Sequence, residues 1–307
     1  MNIAILGAPG CVGRAVIRNL LDSEQYGITA SYRTEEEIPK GLHNGRLRWR
    51  HVDLLNQSSA ENFLQGAETL IYLIHSLGAK NFEQLDIKLA NAAGNAAVKA
   101  GIKKIIYLGG IIPKGGYISP HLISRMKTGE ALASYEMPVG EVRASILLAT
   151  CSMSYRVVYF LSKRLPVMIT PRWLNSLCAP IAIEDAVSVI GTLVSRDVGG
   201  HEIFEIGSDV VRYRELLSLC GESIRGVGNL IIPVPLFAPH LSALWIELVT
   251  GVPNSVGIAL AEGLRSDTIP SRNRFREATG RDPITLKSVL SKLAEEMMKE
   301  RGMTQNK

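Results

Sequence analysis

The sequence predicts an α/β protein built on a doubly wound parallel sheet of the Rossmann type, with a smaller, mixed C-terminal substrate subdomain. Three observations predict it. Short apolar runs alternate with helix-period segments through the first half of the chain, as parallel strands joined by crossover helices require. The first strand-to-helix turn is the glycine sequence Gly7-Ala8-Pro9-Gly10-Cys11-Val12-Gly13. Of 307 residues, 46% are hydrophobic and 21% charged, a balance that excludes a wholly disordered chain.

In order, Asn2–Leu6 reads as a buried strand and Arg14–Asp22 as a helix with Ala15, Val16 and Leu20 turned inward. Ile28–Tyr32, Leu47–Asp53 and Thr69–Leu73 supply the second to fourth strands. A helix from about Phe82 to Ala100 is rich in alanine and so able to lie close against a sheet; Lys104–Leu108 is the fifth strand. Glu141–Ala149 and His201–Ile206 read as sixth and seventh strands that return to the first sheet. The chain therefore divides into a dinucleotide-binding subdomain, 1–150, and a substrate subdomain, 151–307. Within the second, prolines cluster at Pro233, Pro235 and Pro239, and a final helix, Leu286–Arg301, sets Val289, Leu290, Leu293 and Met297 at core-facing spacing.

Lysines and arginines exceed acidic residues, 34 against 29, a net charge of +5 that is scattered along the chain. Scattered charge favours a soluble protein with anionic small-molecule ligands over a nucleic-acid binder. Cysteines 11, 151, 178 and 220 form neither a CxxC pair nor a zinc spacing. No structural metal or disulfide framework is expected, and reduced thiols in a cytoplasm fit best. The apolar run Ile3–Leu6 is cut short by glycines, unlike a leader peptide, and the longest apolar stretch, Leu230–Trp245, is broken by three prolines and His240. No transmembrane segment is expected.

Between a strand and a helix, the glycine turn carries a mechanism. Gly7 permits the tight turn, Gly10 lets backbone approach a pyrophosphate, and Gly13 lets helix pack on strand. N–H groups around Ala8, Gly10, Cys11 and Val12 at the helix start would hold phosphate charge. About 20 residues beyond the turn, where a carboxylate would bond the ribose of NAD, stands Arg33, which suits the 2′-phosphate of NADP. It is followed by Glu35, Glu36 and Glu37, so a solvated surface role is its alternative. Asp53, beside Leu54, either bonds the adenine amino group or caps the next helix. Leu73, Ile74 and His75 follow the fourth strand at the carboxyl edge of the sheet, where ligands bind.

Gly7–Gly13, Asp53-Leu54, Tyr72-Leu73-Ile74-His75-Ser76 and Tyr107-Leu108-Gly109-Gly110 together resemble the atypical short-chain dehydrogenase/reductases, in the NmrA-like, NAD(P)H-binding branch of nucleoside-diphosphate-sugar-epimerase type. The resemblance extends over roughly residues 1–270 and includes His121-Leu122-Ile123-Ser124-Arg125 and Leu165-Pro166-Val167-Met168. It implies an NAD(P)H cofactor, which Arg33 narrows to NADP, a small-molecule substrate and, by family habit, a homodimer whose interface the sequence does not identify. Active members of the wider superfamily use a Ser after the fifth strand and a Tyr-x-x-x-Lys on the next helix. Here Gly109 and Gly110 occupy the serine region, and His121 and Arg125 stand at the Tyr and Lys positions.

A histidine with an ordinary pKa near 6.5 can be a general acid, so His121 is the candidate proton donor and Arg125 the candidate ribose or substrate anchor. The bland alternative for His121 is a helix-start residue facing solvent. Tyr159-Phe160-Leu161-Ser162-Lys163 matches the catalytic spacing by letter but follows the sixth strand, a context for packing rather than catalysis. Arg143 and Asp185 are expected in structural ion pairs. Two functions remain: an NADP-dependent oxidoreductase acting on an apolar or amphipathic carbonyl or enone, or a redox-inactive NADP-binding sensor, regulator or assembly protein, which the loss of Ser, Tyr and Lys favours.

Overall fold

The computed structural model describes residues 1–234 and 254–305. Pro235, Pro239 and the side chains of Pro171, Arg172 and Trp173 lie outside the described residues. Strand β1 (Asn2–Leu6) leads into α1 (Cys11–Leu21), then β2 (Gly27–Tyr32) and β3 (Leu47–His51). Helix α2 (Gln57–Leu64), β4 (Thr69–Tyr72), α3 (Phe82–Ala100) and β5 (Lys104–Gly110) follow. Helix α4 (Pro120–Ala133) precedes β6 (Val139–Ala144) and the short β7 (Leu147–Leu148). The chain continues through α5 (Met153–Arg164), β8 (Val167–Pro171), β9 (Leu177–Cys178), β10 (Ile181–Ala182), α6 (Ile183–Ser195) and β11 (His201–Ile206). After these come β12 (Val211–Arg212), α7 (Tyr213–Arg225), β13 (Leu230–Val234), α8 (Asn254–Gly263), α9 (Phe275–Thr279) and α10 (Leu286–Gln305).

Seven strands form one sheet in the order β11-β6-β5-β4-β1-β2-β3, every pairing parallel. The order reverses beside β1: the chain leaves it toward β2 and β3, then crosses back to β4. Such a reversal opens a crevice at the carboxyl ends of the strands. Ile3 and Ile5 pack on one face with Val16, Ile17 and Ile190, whereas Ala4 and Leu6 pack on the other with Phe63, Ala90 and Ala93. Burial of both faces is why β1 reads as an unbroken apolar run. Small Ala90, Ala93 and Ala97, all fully buried, let α3 approach the sheet closely.

A separate core joins α5, α7 and α10 through Tyr155, Tyr159, Leu216 and Leu290. Val289, Leu290, Leu293 and Met297 are buried there, so the last helix faces the core. The sixth strand departs from expectation. β6 ends at Ala144, and Leu147 and Leu148 pair instead with Ile181 and Ala182 in a second small sheet. Between them Ser145 shares a hydrogen bond with Thr268 (2.7 Å), which anchors the turn. The run over residues 146–149 continues the strand-like pattern past Ser145, so hydrophobicity alone gave no sign of the break.

Candidate active site

Gly7 lies at the carboxyl end of β1 with φ of +81°, a left-handed conformation that favours glycine. A Cβ there would stand 3.0 Å from the Leu73 carbonyl after β4, so the two strand ends meet at the crevice. The Gly7 N–H donates to the buried Ser31 hydroxyl (3.0 Å), which locks the turn to β2. Gly10 caps α1, which begins at Cys11, earlier than expected, because the turn itself supplies the helix cap. A Cβ on Gly13 would lie 2.4 Å from the Ala8 carbonyl oxygen and 2.6 Å from that of Gly7, so helix and strand touch through missing side chains. The residues present thus form the backbone cradle that a pyrophosphate needs.

A cleft of about 1980 Å³ opens over this cradle, lined by Gly7, Gly10, Cys11, Val12 and Gly13 at one end. Arg33, Asp53, Leu54, Leu73, Ile74 and His75 also line it, as do His121 and Arg125. Ala8 alone of the expected contacts lies beneath the turn, fully buried in the core, so its side chain does not reach the cleft.

At the adenosine end, Arg33 follows β2 with its side chain 83% exposed and its guanidinium bonded to Glu37 (2.6 and 3.0 Å). An exposed pair of this kind contributes about 0–1 kcal/mol, little enough for a phosphate to displace it. Asp53 accepts the N–H of Leu55 (2.9 Å) and so shapes the entry to α2, whose own cap is Asn56 accepting from Ser59 (3.0 Å). The capping alternative read for Asp53 therefore falls to Asn56, and Asp53 itself lies on the cleft wall.

His75, His121 and Arg125 converge at the other end. Burial, then the Arg125 charge, pushes His121 down to about 3. His75, exposed on the cleft wall, is also lowered to about 3, chiefly by the Arg125 charge. Both rings are therefore neutral at neutral pH. His121 thus departs from the ordinary pKa near 6.5 expected of it and is held toward the neutral ring. Arg125 donates to the Leu108 carbonyl (3.4 Å), and its own carbonyl accepts from Tyr107 (3.0 Å). Those bonds set α4 against the end of β5.

The serine region has been filled. A Cβ on Gly109 would fall 2.8 Å from a Glu141 carboxylate oxygen, and one on Gly110 would fall 2.9 Å from Leu122. Glu141 is buried and held by Arg143 (2.6 Å) and His201 (2.7 Å). Arg143 is thus structural, as is Asp185, which pairs with Arg281 (2.7 Å) and accepts the Ile284 N–H (2.7 Å). Tyr159 is fully buried against Tyr155 and Phe160, with its hydroxyl accepting from Lys163 (3.3 Å).

Asp86, missed in the sequence reading, ties the site together. Buried on α3, it accepts the N–H of Ser76 (2.7 Å) and the hydroxyl of Ser124 (2.9 Å). One carboxylate thereby fixes the loop of His75 to the helix of His121 and Arg125. Its signal was legible: it lies on the same helical stripe as Ala90, Ala93 and Ala97, where a charge needs partners.

The cysteine expectation requires correction. Cys11 and Cys151 form a disulfide, with Cα atoms 5.5 Å apart, on the wall of the cleft. Cys178 and Cys220 are free thiols, buried, with burial pushing both upward in pKa. Among the described residues no helix is long and apolar enough to cross a membrane.

The fold and cleft define a dinucleotide-binding α/β protein. Residues 7–120 match the model of the NAD(P)H-binding family, and that part of the chain is an NAD(P)H-binding domain. No curated protein matches the chain. Among solved structures it is similar to a nucleoside-diphosphate-sugar epimerase from Staphylococcus aureus (18% identity, TM-score 0.77, covering 95% of this chain and 100% of that one). A Citrobacter triphenylmethane reductase complexed with NADP(H) gives the same identity, coverage and TM-score. An Escherichia coli NADPH-dependent quinone oxidoreductase complexed with NADPH is 20% identical, with a TM-score of 0.74 over 95% and 99% of the two chains. At these identities the likeness establishes the fold. The family match accords with the NAD(P)H-binding part of the resemblance over residues 7–120.

Proposed function

We propose that the protein is an NADP(H)-dependent oxidoreductase that reduces a carbonyl or activated double bond in an apolar or amphipathic substrate. The observation that carries this reading is the cleft. At about 1980 Å³ it is roughly twice the upper end of ordinary single-ligand pockets, ~1,000 Å³, and so has room for two ligands end to end. Beyond the histidine pair its walls are Val157, Val158, Leu161, Met168, Leu174 and Leu217. Two reductases of similar fold, complexed with NADP(H) and NADPH, support the cofactor choice.

In this reading the turn from Gly7 to Gly13 holds the pyrophosphate, and Arg33 exchanges Glu37 for the 2′-phosphate. When bound, the cofactor supplies hydride from its nicotinamide ring. His121, neutral, donates a hydrogen bond to the substrate oxygen as negative charge develops. Arg125, always charged, stabilises that oxygen electrostatically. The proton that completes the alcohol then comes from water. Asp86 keeps the donors in register.

The test is a panel of quinones, enones and aryl ketones with NADPH, followed by loss of its absorbance. His121→Ala should lower turnover by about 10²-fold with NADPH affinity nearly intact. Unchanged turnover would remove His121 from the reaction. Tight NADPH binding without turnover on any member would favour the sensor reading, to which the filled serine position points.

A further inference from the structure

We propose that Cys11 and Cys151 are a reversible thiol–disulfide site that controls cofactor affinity, with the disulfide as the binding-competent state and the dithiol as the weakened one. The inference rests on the cofactor reading of the cleft and adds a regulation to it. Cys11 is the first residue of α1, inside the glycine turn, whereas Cys151 lies next to Ser152, the N-cap of α5, on the substrate side. The bond therefore crosses the cleft wall between the two halves, joining residues 140 apart in sequence.

The two sulfurs differ in a way that directs the chemistry. Cys151 is exposed and Cys11 half-buried, so an external thiolate attacks the Cys151 sulfur. The S–S bond breaks and the electron pair leaves on Cys11, whose place at the start of an 11-residue helix stabilises a thiolate. A second thiol of the reductant resolves the mixed disulfide. In balance, a dithiol reductant and the Cys11–Cys151 disulfide become a reductant disulfide, a Cys151 thiol and a Cys11 thiolate; two electrons are transferred, one proton goes to Cys151 and the other to water.

The consequence follows from place. The Cys11 thiolate takes up the helix N-terminus that the pyrophosphate requires, setting like charge against like and competing for the same N–H groups. The disulfide carries no charge there and leaves the N-terminus open. Cys178 and Cys220, buried in the second core, take no part.

The test counts thiols and measures affinity on the purified chain. In denaturant, air-exposed protein should show two free thiols, and dithiothreitol-treated protein four. The NADPH Kd, read by fluorescence titration, should rise about tenfold on reduction and recover on reoxidation with oxidised glutathione. In Cys11→Ser and in Cys151→Ser the ratio of affinities with and without reductant should fall to one, with Cys151→Ser held at the reduced protein's affinity. Four thiols before reduction, or equal NADPH affinity in the two wild-type states, would overturn the proposal while leaving the cofactor reading intact. Failure of both states to bind any nicotinamide cofactor would overturn both.

Discussion

Replacing Gly13 by alanine adds one carbon atom at the place where the cofactor turn is tightest. The new Cβ would lie 2.4 Å from the Ala8 carbonyl oxygen, 2.6 Å from the Gly7 oxygen and 2.7 Å from the Ala8 carbonyl carbon. All three are backbone atoms, so no side chain can rotate away. Either the turn opens or the start of α1 moves outward. Overpacking of this kind costs ~1–3 kcal/mol. It is offset by ~1 kcal/mol of helix propensity gained over glycine, leaving a modest loss of stability. Cofactor binding suffers more, because a displaced N–H forfeits a charge-assisted bond worth ~1.5–3 kcal/mol. NADPH Kd should therefore rise roughly ten- to hundredfold, with a fall of only a few degrees in Tm. Gly199→Ala is the control: its Cβ meets nothing within 4 Å. Calorimetric titration of both variants decides the matter. Wild-type NADPH affinity in Gly13→Ala would refute the argument that this turn holds the cofactor.

Other consequences are open to measurement. His75 and His121, both lowered to about 3, stay neutral in the fold while the unfolded chain takes up protons near 6.5. Stability should therefore decline as pH falls from about 6.5 toward 3. Part of that slope should vanish in His121→Phe, and an identical slope would contradict a depressed His121. Asp86→Ala leaves the Ser76 N–H and the Ser124 hydroxyl without their acceptor, a loss of about 2–4 kcal/mol in chemical denaturation, with Asp86→Asn milder. If Asp86→Ala were as stable as wild type, the tie between α3 and α4 would be unimportant. Gly109→Ser, which restores the superfamily's residue type, should destabilise by ~1–3 kcal/mol through contact with Glu141 and add no turnover. A gain in turnover would mean that the serine position is still usable.

The parts of the fold legible in sequence are those governed by local pattern. Asn2–Leu6, Phe82–Ala100 and His201–Ile206 occupy the spans read for them, because short β-rich apolar runs, alanine content and flanking turns mark their ends. Helix α1 begins three residues early because Gly10 caps it without a side-chain signal. The fifth strand runs on to Gly110 because Gly109 and Gly110 pair with Arg143 and Ala144, a partnership no local pattern encodes. The same holds within the site. The glycine turn was readable, since its chemistry lies within seven consecutive residues. Joining Cys11 to Cys151, or neutralising His121 beside Arg125 and His75, depends on contacts between distant segments. Asp86 could have been found from its place on an alanine stripe.

The central claim is that the crevice beside β1 binds a phosphorylated nicotinamide dinucleotide. Calorimetric titration of the wild-type and Arg33→Ala proteins with NADPH, NADP, NADH and NAD tests it most directly. NADPH and NADP should bind more tightly than NADH and NAD, and Arg33→Ala should erase that preference with little loss toward NADH. Equal affinities in the wild type would refute the role of Arg33, and binding of none of the four would contradict the cofactor site itself.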